Sequence, residues 1–152
     1  MHIEVDDLTR PQIHALLGEH LSHMYELSPP ENVFALDLSK LRQPGITFFS
    51  VWDAGVLLGC GALKELSPSQ GELKSMRTPK AQRRRGAGRL VLDHIIAVAH
   101  QRNYQLLSLE TGSHPDFRPA QQLYASCGFV PCGCFGSYQE DPHSVFMQMQ
   151  LR

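Results

Sequence analysis

The sequence has no apolar run approaching the roughly 20 residues that span a bilayer, so no membrane partner is expected. It has only four cysteines, Cys60, Cys127, Cys132 and Cys134. A chain of 152 residues can build a core without crosslinks, and a disulfide framework is not expected. Cys132-Gly-Cys134 has one intervening residue and no second pair, which does not fit zinc spacing. His20 and His23 share a helical face, but no carboxylate is placed to complete a ligand set, so no metal is expected. Neither sign of charge dominates. The formal net charge is -1, which argues against a nucleic-acid partner recognised through overall charge. Repeats, low-complexity tracts and composition breaks are lacking as well, so one domain over residues 1–152 is expected. The opening "MHIEVDDLTRPQ" is acidic and polar rather than basic and then apolar, unlike a signal peptide, and the cytoplasm is the expected location.

What is present is an alternation of strand and helix patterns. "HIEVDDL" reads as a first strand. "RPQIHALLGEHLSHMYEL" carries Ile13, Leu16, Leu17, Leu21 and Met24 at helical spacing behind Pro11. A short second helix is expected around Asp37 to Leu41. "ITFFSVWD" and "AGVLLGCGALKEL" read as strands joined by a tight turn at Asp53-Ala54-Gly55. "SPSQG" reads as a polar loop and "ELKSMRT" as a fourth strand. "GAGRLVLDHIIAVAHQRN" is a long helix with Leu90, Val91, Ile95, Val98 and Ala99 on its apolar side. "YQLLSLETG" is a fifth strand, and "PAQQLYASCG" a helix opened by Pro119 and closed by Gly128. "FVPCGCFGSY" and "SVFMQMQL" read as the last two strands. The class is α/β (α+β): about seven strands in a mixed, mostly antiparallel sheet, a central strand-helix-strand crossover, and four helices.

"AQRRRGAGRLVL" concentrates charge and backbone freedom at one helix entrance. First-turn amides lack intrahelical partners, and the helix dipole adds partial positive charge there. Gly86 and Gly88 permit close approach of a ligand, and Arg83, Arg84 and Arg85 add cationic groups, a combination suited to a pyrophosphate. The stretch has no Gly-Lys-Ser/Thr and so is not a P-loop; Val91 replaces the third glycine of a dinucleotide fingerprint.

"ELKSMRTPKAQRRRGAGRLVL" resembles the core motif of the GCN5-related N-acetyltransferases (GNAT), in which a strand leads into Arg/Gln-x-x-Gly-x-Gly/Ala and a long helix. Arg83-Arg84-Arg85-Gly86-Ala87-Gly88 matches every defined position. "LETG" followed by "AQQLYASCGF" resembles the superfamily's fifth strand and its helix-to-strand segment. The resemblance implies a GNAT fold with a V-shaped splay between strands four and five, and acetyl-CoA as cosubstrate. The pyrophosphate would sit on the amides from Arg84 to Gly88 beside Arg83, Arg85 and Arg89, and the pantetheine arm along Met76, Arg77 and Thr78. Leu73 and Met76 are apolar but three apart, and a bulge in strand four would return both to one face.

Further roles follow from the same resemblance. Tyr124 matches the position that protonates the departing thiolate. Glu72, opening strand four, is the candidate base, with Glu110 on strand five as its competitor and a water relay as a third route. The Met76 amide would serve the oxyanion. Many members carry an asparagine just after strand five; "GSHPDFRPAQQ" has none, leaving His114, Asp116 or a backbone group as substitutes. The acceptor site would be built by "SHMYELSPPENVFALD" and "FGSYQEDPHSVF", similar to a bacterial small-molecule acetyltransferase-like subgroup. His23, Glu26, Glu31, Asn32, Glu110 and Tyr138 are its candidates, an acidic and aromatic mixture suited to a small amine. The function expected is acetyl transfer to a primary amine in a ternary complex; a non-catalytic acyl-CoA sensor on the same fold is the alternative. A homodimer through the C-terminal strands is compatible with the resemblance.

Overall fold

The computed structural model describes residues 1–151. The strands are β1 (His2–Val5), β2 (Ile46–Asp53), β3 (Val56–Ser67), β4 (Gln70–Arg77), β5 (Leu106–Gly112), β6 (Val130–Cys132) and β7 (Ser144–Gln150). The helices are α1 (Pro11–Leu27), α2 (Leu38–Leu41), α3 (Ala87–Gln101) and α4 (Arg118–Ser126). One mixed sheet runs in the order β1-β2-β3-β4-β5-β7-β6. Only β4 and β5 are parallel, because the α3 crossover separates them, whereas the other neighbours run antiparallel.

Local chemistry explains the joints. Ala54 and Gly55 both have positive φ, as a two-residue hairpin turn requires. Pro11 starts α1, and the Asp37 carboxylate caps α2 by accepting from the Lys40 amide at 2.9 Å. Two apolar layers sandwich the sheet. Val91, Leu92 and Ile95 of α3 pack on Leu63, Leu73, Leu107 and Leu109 on one face. Ile13, Leu16 and Leu17 of α1 pack on Phe48, Trp52 and Ala62 on the other. At the α1 entrance the fully buried Asp6 carboxylate binds Arg10 and the Ser50 hydroxyl, and the Arg10 guanidinium lies 4.0 Å from the Trp52 ring centre.

Three expectations are corrected. The expected strand "FVPCGCFGSY" shrinks to Val130–Cys132. Beyond it Gly136 adopts positive φ, and Tyr138 packs its ring on Phe135 and Phe146 instead of continuing the ladder. The polar "SPSQG" is not a loop of its own: β3 reaches Ser67 and β4 begins at Gln70, leaving a two-residue turn. On α3 the buried stripe is Ala87, Val91, Leu92, Ile95 and Ala99, with Leu90 and Val98 only partly covered.

The α3 seat depends on Gly61. A Cβ there would lie 2.7 Å from Val91 Cγ1, 2.6 Å from Met76 Sδ and 3.1 Å from Ile95 Cδ1. Gly61→Ala should therefore overpack the sheet-helix interface and destabilise the fold by about 1–3 kcal/mol. Thermal denaturation should show a midpoint several degrees lower; an unchanged midpoint would mean that α3 yields freely.

Candidate active site

The β4–β5 ladder ends at Leu73–Leu109, although β4 continues to Arg77 and β5 to Gly112. The strands separate from there. A bulge begins the opening: β4 uses three residue steps between Lys74 and Arg77 where β3 uses two between Ala62 and Cys60. Ser75 takes up the extra residue with a φ of 56°. The bulge returns Leu73 and Met76 to the α3 face, as the apolar spacing requires. Glu72, Lys74 and Arg77 consequently point toward α1 and the C-terminal loops. The opening widens into a cleft of about 860 Å³.

One end of the cleft is the start of α3. Gly86 stands at the N-cap with a φ of 82° and offers no side-chain cap, and the first turn holds no acidic residue. The amides of Ala87, Gly88 and Arg89 therefore remain available with the positive end of the helix dipole behind them. Arg84, at a φ of 67°, occupies a conformation unusual for a side-chain-bearing residue, as is common in anion-binding loops. Arg83, Arg84 and Arg89 line this end, together with Thr78. Arg85 instead pairs with Asp53 at 3.2 Å and with Gln82 at 2.9 Å. Gly88 is not needed for packing: a Cβ would meet Leu123 and Thr78 only at 3.6 and 3.7 Å. These features fit a nucleoside diphosphate group of the kind coenzyme A carries.

The middle of the cleft holds the titrating side chains. Glu72 is 3% exposed and accepts a 2.6 Å hydrogen bond from the Tyr138 hydroxyl. Lys74 lies 3.3 Å from the same Glu72 oxygen and donates to the Tyr138 oxygen at 2.9 Å. Burial, then the adjacent Glu72 carboxylate, pushes the Tyr138 phenol far up. Its ring meets Phe34 and Phe135 edge-on, each at 5.0 Å between centres. Glu110 stands on β5 in the gap. Burial pushes its carboxyl up to about 7, helped by Glu72 and opposed by the Ser144 hydroxyl and Lys74. Tyr124 reaches the cleft from α4, its ring buried against Phe129. Burial and the charge of Glu110 raise its phenol well above the ordinary range.

The remaining candidates divide. His23 and Asn32 line the cleft. Glu26 faces a smaller cavity beside His114 and His143, and Glu31 is exposed outside both. The Arg77 side chain turns away from the coenzyme end and binds α1, donating to His23 Nδ1 at 2.8 Å and to Glu19 at 2.9 Å. Lys74 was not singled out from the sequence. Its signal was available, since it stands two residues after Glu72 on one strand and so shares a face with it. No cluster of three or more potential metal ligands occurs, and no helix is long and apolar enough to cross a membrane, among the described residues.

Comparison with known proteins agrees with this arrangement. The acetyltransferase (GNAT) family model matches residues 11–129. The chain is 54% identical to the uncharacterized N-acetyltransferase YsnE of Bacillus subtilis, over 99% of this chain and 100% of that one. A solved structure from Klebsiella pneumoniae, provisionally named an acyl-CoA N-acyltransferase, is 30% identical and superposes with a TM-score of 0.82, covering 99% and 97% of the two chains. A GNAT acetyltransferase from Elizabethkingia anophelis, solved with acetyl-CoA bound, shares the fold at a TM-score of 0.71 and 16% identity, covering 98% and 97%. The fold is thus shared with these proteins, and the chain belongs to the GNAT acetyltransferase family, as an N-acetyltransferase-type acyltransferase.

Proposed function

We propose that this protein transfers an acetyl group from acetyl-CoA to a primary amine of a small molecule, by direct attack in a ternary complex. The observation that carries this reading is the β4–β5 opening, which leads from the uncapped start of α3 to a carboxyl group poised near neutrality. When bound, acetyl-CoA supplies an activated acyl carbonyl. The amides of Ala87 to Arg89 and the Arg83 and Arg84 side chains hold its pyrophosphate, with Arg89 at the rim. Arg85, engaged with Asp53, contributes at longer range. The backbone of Met76 and Thr78, past the end of the β5 ladder, is free to pair with the pantetheine arm, and the Met76 amide serves the developing oxyanion.

Proton handling falls to three side chains. An amine must lose a proton before it attacks, and a base titrating near 7 suits that task at neutral pH. Glu110 meets this requirement, whereas Glu72 Oε2 already accepts from both Tyr138 and Lys74. We therefore assign the base to Glu110 and give Glu72 the role of holding the local charge. Tyr124, whose phenol stays protonated, donates a hydrogen bond to the sulfur as the carbon–sulfur bond breaks. His23 and Asn32 border the acceptor space; Tyr138 is not itself in the lining but packs on the lining residue Phe34 and holds Glu72 and Lys74.

The test is a thermal-shift titration with acetyl-CoA, free CoA and adenosine diphosphate. Acetyl-CoA at about 100 times its dissociation constant should add about 2.7 kcal/mol, a rise of roughly 5–10 °C for a domain of this size. Gly88→Ala serves as a control. The unliganded midpoint should hold or rise, since alanine favours a helix over glycine by about 0.5–1 kcal/mol. The acetyl-CoA shift should persist, because the last position of the motif accepts glycine or alanine and a Cβ there would meet Leu123 and Thr78 only in ordinary contact. An absent shift in the parent protein would remove the coenzyme reading. A full shift with no amine acetylated across a broad panel would favour an acyl-CoA sensor.

A further inference from the structure

The α1 side of the cleft contains polar groups that the acetyl-transfer reading does not use. Four buried polar atoms have no hydrogen-bond partner among the described residues: Ser144 Oγ on β7 and, on this side of the cleft, His20 Nδ1, Ser75 Oγ and Arg77 Nε. The residues of the last three lie along the same cleft. His20 and Ser75 are each 8% exposed, and the Arg77 side chain 9%. Buried polar groups left without partners lose the hydration they had in the unfolded chain, and native proteins seldom tolerate several together.

The three groups share one chemical character. A guanidinium has five N–H donors and no acceptor. Arg77 directs one donor to His23 and one to Glu19, and these two contacts fix the plane of its fork. The Nε–H remains unspent. The Ser75 hydroxyl donates, and His20 donates from Nδ1 in the corresponding tautomer. Arg77 can only donate, and the Ser75 hydroxyl and His20 Nδ1 can each donate to the same ligand, so the three suit a group that accepts; a planar fork matches a carboxylate in two-point geometry. Glu19, whose side chain is 42% exposed, faces Arg77 from the solvent side, where water screens its charge.

Arg77 stands on the same face of β4 as Glu72 and Lys74 and three residues beyond Lys74. At about 3.3 Å per strand residue, with one residue absorbed by the bulge, this places Arg77 roughly 7 Å along the strand from Lys74. The structure thus has a proton-accepting carboxylate at one end of the acceptor space and a carboxylate-accepting wall at the other.

We infer that the acceptor is a primary amine bearing a carboxylate, held with its amine at Glu110 and its carboxylate on Arg77, Ser75 and His20. This rests on the acetyl-transfer reading for the amine end alone. It also narrows the expectation of a simple cationic amine, which would leave the donor wall unused.

The test compares acetylation rates for ω-amino carboxylates, from β-alanine to aminocaproate, each against the alkylamine of equal chain length. Thiol release reports kcat/KM. At least one amino carboxylate should exceed its alkylamine by about tenfold or more, the effect of a charged hydrogen-bonded contact. In Arg77→Met that ratio should fall to about one. The ratio is internal to each protein, so partial loss of folding cancels; His20→Leu, which leaves the guanidinium in place, should lower it less. Equal rates in the parent protein, or a ratio indifferent to Arg77→Met, would overturn the proposal. So would an equal loss on both substrate types in Arg77→Met, which would assign Arg77 to the fold or the coenzyme. Calorimetric binding of N-acetyl-aminocaproate to the CoA-saturated protein separates the two readings. Arg77-dependent binding without any turnover would leave the carboxylate site standing and remove the transfer reading. Absence of both binding and preference would remove the carboxylate site.

Discussion

Glu110→Gln should make the protein less active and more stable in the same preparation. The two effects share one origin. The carboxyl sits where burial and Glu72 disfavour its charge, so it titrates near 7 in the fold against an ordinary value of 4.5. A carboxyl raised on folding supports the fold fully below the unfolded value, and that support is lost as pH rises through the folded value. Between about 4.5 and 7 the wild-type fold should lose up to about 3 kcal/mol from this group. Glutamine cannot ionise and escapes the loss. Denaturation at pH 8 should find Glu110→Gln more stable than the parent, with the difference vanishing near pH 4.

Catalysis should move the other way. If Glu110 takes the proton from the acceptor amine, kcat/KM should climb with pH through about 7 in the parent. Glu110→Gln should lose that limb and on the order of 10²–10⁴ in rate. Glu72→Gln should keep an acidic limb, displaced downward, because removal of its charge relieves Glu110. If the limb is instead retained in Glu110→Gln and lost in Glu72→Gln, the base is Glu72 and the assignment is reversed.

The second large effect belongs to Tyr124→Phe. The ring should remain in place, since its edge-on packing with Phe129 at 6.0 Å involves only carbon atoms. Tyr124 lines the cleft, so loss of its hydroxyl should leave the melting temperature nearly unchanged. Turnover should fall by about 10²-fold or more, while the acetyl-CoA thermal shift persists. Such a split identifies a group that acts on the leaving sulfur and not on ground-state binding. A substrate with a more acidic thiol leaving group should be less sensitive to the change. Equal rates for Tyr124→Phe and the parent would make Tyr124 a packing residue.

Much of this architecture was legible in the sequence because it is local. The positive φ values at Ala54, Gly55 and Gly86, the proline at the α1 start and the three-residue apolar step from Leu73 to Met76 each depend on a few neighbouring residues. The coenzyme motif is equally local, since loop and helix start are contiguous. The β6 overextension shows the limit of such reasoning: apolar residues in "CGCFGSY" suggested a strand, but Phe135 and Tyr138 bury their rings in an aromatic cluster instead of pairing backbone.

The roles within the cleft depended on distances that no local pattern encodes. Tyr138 reaches Glu72 across 66 positions, and Arg77 reaches His23 across 54. The first contact engages the carboxylate the sequence singled out and leaves Glu110 as the group titrating near neutrality. The second turns an arginine of β4 toward α1. By itself the sequence determined the family, the order of elements and the position of the glycine- and arginine-rich start of α3, because backbone conformation and apolar periodicity are set over a few residues. Only the tertiary structure decided which carboxyl is pushed toward neutrality and which buried polar atoms are left without partners, because desolvation and charge coupling arise once distant side chains are buried together.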